Sequence, residues 1–243
     1  MASYYPTEDT FLNASRGLIK GGEVRNIFGK AAGTSGIVTS EYRVPWEVNA
    51  DYTFPSSELT MQAVSSSASD TAVTLLVKGL DANFLEVSAQ VTTNGTNPVV
   101  ITSQDFFRIN DVIDVSGNAV GDITISNSGN TYAKVLAGTG RNQAGIFTVP
   151  AGHCFYLYRI DAFCTDSNGG KAAFFRNFVG NNVSGVDFRV AETQFFENMN
   201  IVRRFPFKYD QKSDIKLQLK SSSGSIDGSI FAEGLLLNEP LSG

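Results

Sequence analysis

The 243-residue chain is predicted to be all-β, built as two β-sandwich (jelly-roll-like) domains or one extended two-part β domain, behind an N-terminal extended arm. Three observations predict this. Short apolar or alternating runs recur about every 8–12 residues, the spacing of sandwich and barrel strands. Turn signals rich in Gly, Asn, Ser and Pro separate them. Only 18% of residues are charged against 42% hydrophobic, and 18 residues are Phe, so a substantial core can be buried.

Residues 1–45 are Gly-rich, as in "GLIKGGEVRNIFGKAAGTSGIV", and hold no helical period. They read as an arm with one short strand. Such a segment buries too little alone and needs a neighbour to order it. From Trp46 the text changes. "ELTMQAVSS", "DTAVTLLVKGL" and "EVSAQVTTNGTNPVVITS" read as strands, the last broken by an Asn-Gly hairpin signal. "FFRINDVIDVSG", "GDITISNSGN" and "TYAKVLAG" continue the series to residue 137. "GTGRNQAG" (138–145) is the junction to a second unit, 138–243, of about eight strands in a jelly-roll-type sandwich. Within it, "AETQFFENMNIV" (191–202) is the one stretch with helical competition, because its apolar spacing fits neither period cleanly.

The stretch "KGLDANFLEV" places Asp81, Asn83 and Glu86 within six residues. A calcium loop of the helix–loop–helix kind needs a Gly at its sixth position, further oxygen ligands and helical flanks. Here the flanks are strand, so a hairpin turn organised by Asp81 and Asn83 is the expectation, with a weak calcium site as the alternative.

Chemistry is sparse. The single histidine, His153, stands next to Cys154, so on a strand the two point to opposite faces, and no zinc-ligand spacing forms. No G-x-S-x-G elbow and no phosphate loop occurs. Asp187, Glu192 and Glu197 are the acids best placed for a two-carboxylate glycosidase, with a solvated face as the plainer reading. No catalytic, cofactor-binding or metal residue is therefore assigned. Cys154 and Cys164 lie ten residues apart, on the same face if one strand holds both. In one strand that is roughly 33 Å, too far for a disulfide, so both are expected to be buried free thiols.

Net charge is −5, and the densest basic spot is Arg203–Arg204, so no nucleic-acid stripe is visible. No basic-then-apolar leader and no apolar run of 18 residues appears; neither secretion nor a membrane span is expected. On the long strand after "VPAG", simple alternation puts Phe155, Leu157 and Phe163 on one face and Tyr156, Tyr158 and Ile160 on the other. Phe174, Phe175 and Phe178 follow on the next strand. Two apolar faces call for a second covering layer, from this chain or another subunit. Trp46, in "RVPWEV", is the candidate anchor between arm and body, with a plain core position as the alternative, and Tyr156 and Tyr158 are candidate assembly contacts.

The ordered series "FPSSELTMQAVSSSASDTAVTLLVKGLDANFLEVSAQVTTNGTNPVV", "FFRINDV", "VGDITISNSGNTYAKVLAGTGRNQAGIFTVPAG" and "RRFPFKYDQKSDIKLQLKSSSGS" resembles a group of virion-associated structural proteins of marine tailed bacteriophages, over about residues 46–238. The resemblance implies a non-enzymatic particle protein, assembled in the host cytoplasm and located on the virion. It implies self-association, as a homotrimer or other symmetric oligomer, and contact with the major capsid protein or other virion proteins. The role expected is capsid decoration or cement. A head-to-tail or tail component, or a module binding a host-surface glycan through loops such as "TDSNGGK" at one end of the sandwich, are the alternatives.

Overall fold

The first and last strands among the described residues meet in one sheet. β1 (Gly22–Ala31) runs antiparallel to β15 (Asp227–Asn238), from Gly22 opposite Leu237 to Ala31 opposite Gly228. The computed structural model describes residues 10–31, 36–48, 50–117, 119–165 and 172–239. Among these are one short helix, α1 (Thr10–Ser15), and fifteen strands; the chain is all-β. No helix among the described residues is long and apolar enough to cross a membrane.

Eight strands follow the order β1-β15-β10-β13-β12-β11-β14-β9, with β9 (Ile146–Thr148), β10 (His153–Thr165), β11 (Ala172–Asn181), β12 (Val186–Phe196), β13 (Asn198–Tyr209) and β14 (Ser213–Ser221). β12 and β13 pair only through Phe196 and Asn198, on either side of Glu197, which takes a left-handed conformation (φ 57°). That corner divides the strands into two four-stranded layers, β1-β15-β10-β13 and β12-β11-β14-β9. Between them lies one core, in which Ile27, Phe155, Leu157, Ile160, Ile230 and Leu236 meet Phe147, Phe175, Val179, Ile215, Leu217 and Leu219. The layering and strand order are those of a jelly roll.

The connection from β1 to β9 holds the other unit. β2 (Gln62–Ser65), β5 (Val99–Val100), β7 (Ile123–Asn127) and β8 (Asn130–Val135) form a sheet ordered β5-β2-β7-β8; β3 (Thr74–Leu80), β4 (Glu86–Thr92) and β6 (Arg108–Asp114) form another, β4-β3-β6. Met61, Leu75, Val77, Phe106, Val112, Ile123, Ile125 and Val135 fill the space between these sheets. The jelly roll is therefore discontinuous in sequence. β1 falls inside the segment read as an arm (1–45), yet it is an edge strand of the jelly roll rather than an arm bound elsewhere. A pairing across some 200 residues leaves no local mark that sequence periodicity could reveal.

Other readings change as well. Residues 191–202, the helical rival, are strand on both sides of Glu197. The Asn94–Gly95 turn exists, with Gly95 at φ 60°, but its flanking strands do not pair with each other. β4 pairs with β3 and β5 with β2, so the turn carries the chain from one layer to the next. At "LDANFLE" a hairpin does form. Asp81 Oδ1 accepts from the backbone N–H groups of Asn83 and Leu85, both at 2.8 Å, while Phe84 takes φ 64° and Leu80 pairs with Glu86. Glu86 turns away from this loop to meet Arg25 at 3.1 Å.

β10 does not follow simple alternation. Its register against β15 slips between Leu157 and Arg159, leaving Tyr158 as an extra residue. A bulge of this kind switches which side chains face inward. Phe155 and Leu157 before it, and Ile160, Ala162 and Cys164 after it, all join the core. Phe163 is 53% exposed instead of core-facing, and Ile160, expected beside Tyr156 and Tyr158, is buried. Cys154 and Cys164 are both buried and free, but they lie on opposite faces, not on one.

The two sandwiches are locked together by Arg108 of β6. Its guanidinium forks onto Asp214 of β14 (Nε to Oδ1 and Nη2 to Oδ2, both 2.8 Å), and its Nη1 donates to the carbonyls of Pro55 and Phe107. Asp214 also accepts from Thr148 Oγ1 at 2.6 Å and Asn182 Nδ2 at 2.8 Å. Phe107 lies 3.9 Å from the guanidinium carbon. Beside this pair, Asn110 and the backbone of Thr148 exchange two 2.9 Å hydrogen bonds, so the junction is continued by a strand-like contact.

Candidate assembly surface

β12 and β13 are the last strands of their layers on one flank of the jelly roll. Except at the Phe196–Asn198 corner, neither is paired along that side among the described residues. Burial there breaks the usual in-out alternation: seven of the first nine positions of β12 that could be covered by a second layer or strand stay open in the pattern eeeeiieee. Val183, Val186, Phe188, Phe196, Val202 and Phe205 are all at least 45% exposed. Beneath them, half-buried Val190, Ala191, Ile201 and Phe207 pack on the rim of the main core. The flank is thus an uncovered margin of the hydrophobic core, not a scatter of single apolar residues.

Its most prominent feature is a wide bulge in β13. Leu157 faces Phe207 and Arg159 faces Val202, so Arg203, Arg204, Phe205 and Pro206 stand against Tyr158 alone. The excess backbone is pushed outward, and Phe205 reaches 77% exposure. Arg203 lies 3.5 Å from the Phe207 ring centroid and Arg204 lies 5.7 Å from that of Phe205. Exposed aromatic and Arg side chains over a half-covered apolar floor have the composition of a protein–protein contact. The sequence marked Arg203–Arg204 only as a basic pair. The further signal was the run "VDFRVAETQFF", whose apolar residues fall on both strand faces.

The three residues singled out from sequence are not brought together. Trp46 is 4% exposed and sits with Val44, Tyr52, Ala144 and Ile146 in a small third cluster. Its Nε1 donates to the Ala50 carbonyl at 2.6 Å, and its ring meets Tyr52 edge-on at 4.9 Å. It therefore ties together the two connections that leave and re-enter the jelly roll. Tyr158, the bulge residue of β10, donates to Glu233 Oε2 at 2.8 Å, and half-buried Tyr156 faces Leu235 and Lys208 on the neighbouring strands. Both tyrosines lie one strand inward from the open flank.

The remaining candidate groups are dispersed. His153 Nδ1 lies 3.0 Å from the Ala151 carbonyl, at the head of β10. Glu192 pairs with Arg189 at 3.0 Å, Asp187 leans over Gly180, and Glu197 forms the corner. Among the described residues, no three or more His, Cys, Asp or Glu side chains are grouped to hold a metal ion. The loop "TDSNGGK" lies largely outside the described residues.

One carboxyl is out of place. Both oxygens of Glu47 are closed off from solvent without a well-formed hydrogen bond. Burial pushes this group from the ordinary 4.5 up to about 8, a rise that the backbone amides of Glu47 and Gln143 and the charge of Lys134 only partly offset.

No family model matches the chain, and no curated protein matches it. Among solved structures, the infectious bursal disease virus Gx strain gives a TM-score of 0.27 at 10% identity, covering 90% of this chain and 73% of the other. The VP2 subviral particle of the same virus gives 0.23 at 11% identity, covering 96% and 74%. Overlaps this loose support no argument about function.

Proposed function

We propose that the protein is a non-enzymatic structural component of a tailed-phage virion, located on the particle after assembly in the host cytoplasm. It works as a symmetric homo-oligomer that decorates or cements the capsid. The observation that carries this reading is the open flank: an uncovered core margin with Phe188 and Phe205 exposed, flanked by Arg189, Arg203 and Arg204. Burying it against another subunit removes apolar surface from water and gives the unpaired strands partners. The resemblance of residues 46–238 to phage structural proteins points the same way. The locked junction at Arg108 and Asp214 suits a part that transmits load between two sandwiches without hinging. Weak contacts repeated over many copies would hold it on the shell.

The test is reconstitution. Tagged protein is mixed with phage shells and, separately, with tails that lack it, and sedimentation reads co-migration. Saturable binding to shells is expected. Binding to tails alone would move the protein to a head-to-tail or tail position, and binding to neither would refute the virion role.

A second reading rests on a cleft between the sandwiches. Glu23, Arg25, Lys78, Glu86, Asn110 and Arg141 line a space of about 330 Å³. Its mix of hydrogen-bond donors and acceptors suits the hydroxyls of a host-surface glycan. A glycan array with no signal removes this alternative.

A further inference from the structure

We infer that two copies of this chain join antiparallel along β12, with Phe188 facing Phe188 of the second copy across a two-fold axis. The inference rests on the self-assembly proposed above and names the contact that makes it. β12 is bonded to β11 along its length, but its other edge has no backbone partner among the described residues from Val186 to Phe195. A free edge of this length is a template for another strand.

Symmetry restricts the register. In an antiparallel pair, side chains directly opposite each other point to the same face of the sheet. A two-fold axis perpendicular to the sheet preserves that face, so it must pass through a residue position and not between two. Three centres are then available in the flat stretch before the β12 bulge. Centring on Asp187 sets Asp187 against its own copy, and centring on Arg189 sets Arg189 against its copy; like charges directly opposite destabilise a sheet. Centring on Phe188 sets Asp187 opposite Arg189 twice, Val186 opposite Val190 twice, and the two phenyl rings against each other. This is the register in which every opposite pair is favourable.

The side chains are ready for it. Val186 is 54% and Phe188 45% exposed. Asp187 has no ion-pair partner among the described residues, and Arg189 remains 57% exposed while touching Glu192 at 3.0 Å. The slip of register between Asn177 and Phe178, opposite Val190, ends the flat run there. The pairing is therefore held to the stretch 186–190, and the bulge at Val190 blocks continued strand addition. A two-fold contact also closes on itself, so it yields dimers or dimer-based assemblies rather than fibres.

The test uses the full chain carrying Phe188→Cys, with Val120→Cys, exposed on the other sandwich, as the control. Facing residues of such a pair have Cα atoms about 4.5–5.5 Å apart, within disulfide reach. Mild oxidation is expected to convert the Phe188→Cys protein to a disulfide-linked dimer and to leave Val120→Cys unlinked. Light scattering of Asp187→Arg should show dimerisation weakened about ten-fold or more, and Asp187→Arg with Arg189→Asp should restore it. An oligomer that gives no Phe188→Cys crosslink above the control overturns the β12 contact while self-assembly stands through another face. A monomer at all concentrations overturns both.

Discussion

Replacing Arg108 by Met tests how the two sandwiches are held. The side chains of Arg108 and Asp214 are 4% and 10% exposed, and the fork between them is bidentate at 2.8 Å. Met keeps most of the volume and the contact with Phe107 but leaves the Asp214 carboxylate without its counter-charge. Thr148 and Asn182 still donate to it, which limits the loss. Breaking a buried, hydrogen-bonded ion pair by removing one partner costs about 3–5 kcal/mol. The carbonyls of Pro55 and Phe107 also lose their donor, so the upper end of that range applies. Converting Asp214 to Asn as well should recover at least about 1.5 kcal/mol, because the stranded charge disappears. Guanidinium unfolding followed by the single tryptophan, Trp46, and by far-ultraviolet circular dichroism is the assay. Trp46 lies in the connections between the sandwiches and reports on the junction. The wild type should unfold with coincident curves, and Arg108→Met should separate them. A loss under about 1 kcal/mol with curves still coincident would refute the argument and leave the Trp46 cluster as the element joining the two units.

Three further outcomes are expected. Glu47 holds its proton up to about pH 8 when folded but releases it near 4.5 when unfolded, so its contribution is complete below pH 4.5 and is lost as pH rises to 8. Glu47→Gln should flatten that decline and gain roughly 2–4 kcal/mol at pH 8, read from urea midpoints at pH 5 and pH 8. Gly79→Ala would drive a methyl group into the Arg108 carbonyl and the Phe106 ring across the β3–β6 pair; about 3 kcal/mol or more should be lost in thermal unfolding, since backbone there cannot step aside. Asp81→Ala removes two turn hydrogen bonds and should cost about 1–2 kcal/mol equally with and without calcium; a calcium-dependent difference in melting temperature would contradict the turn role.

Local text carried much of the architecture. Alternating runs marked most strands, and "LDANFLE" announced its hairpin because Asp81 bonds to backbone only two and four residues away. Where a single residue was added, the reading failed. Tyr158 shifted every later side chain of β10 to the other face, and alternation cannot show an insertion whose opposite strand lies 75 residues further on. Buried Arg108 and Asp214 looked in sequence like ordinary charges within "FFRINDV" and "QKSDIKL"; only their meeting across 106 positions makes them the lock of the junction.

The open flank followed the same division. Local text alone gives the apolar residues of β12 and β13 and which of them share a strand face, because side-chain character and a period of two are local properties. Which of those faces would be covered depended on strand order. The tertiary structure placed β12 and β13 last in their layers and joined them only at Glu197, leaving the margin of the core uncovered. Pairing partners in a β protein are chosen by contacts between distant segments, so the edges of its sheets, and the surfaces they offer to another molecule, emerge only when the whole chain has folded.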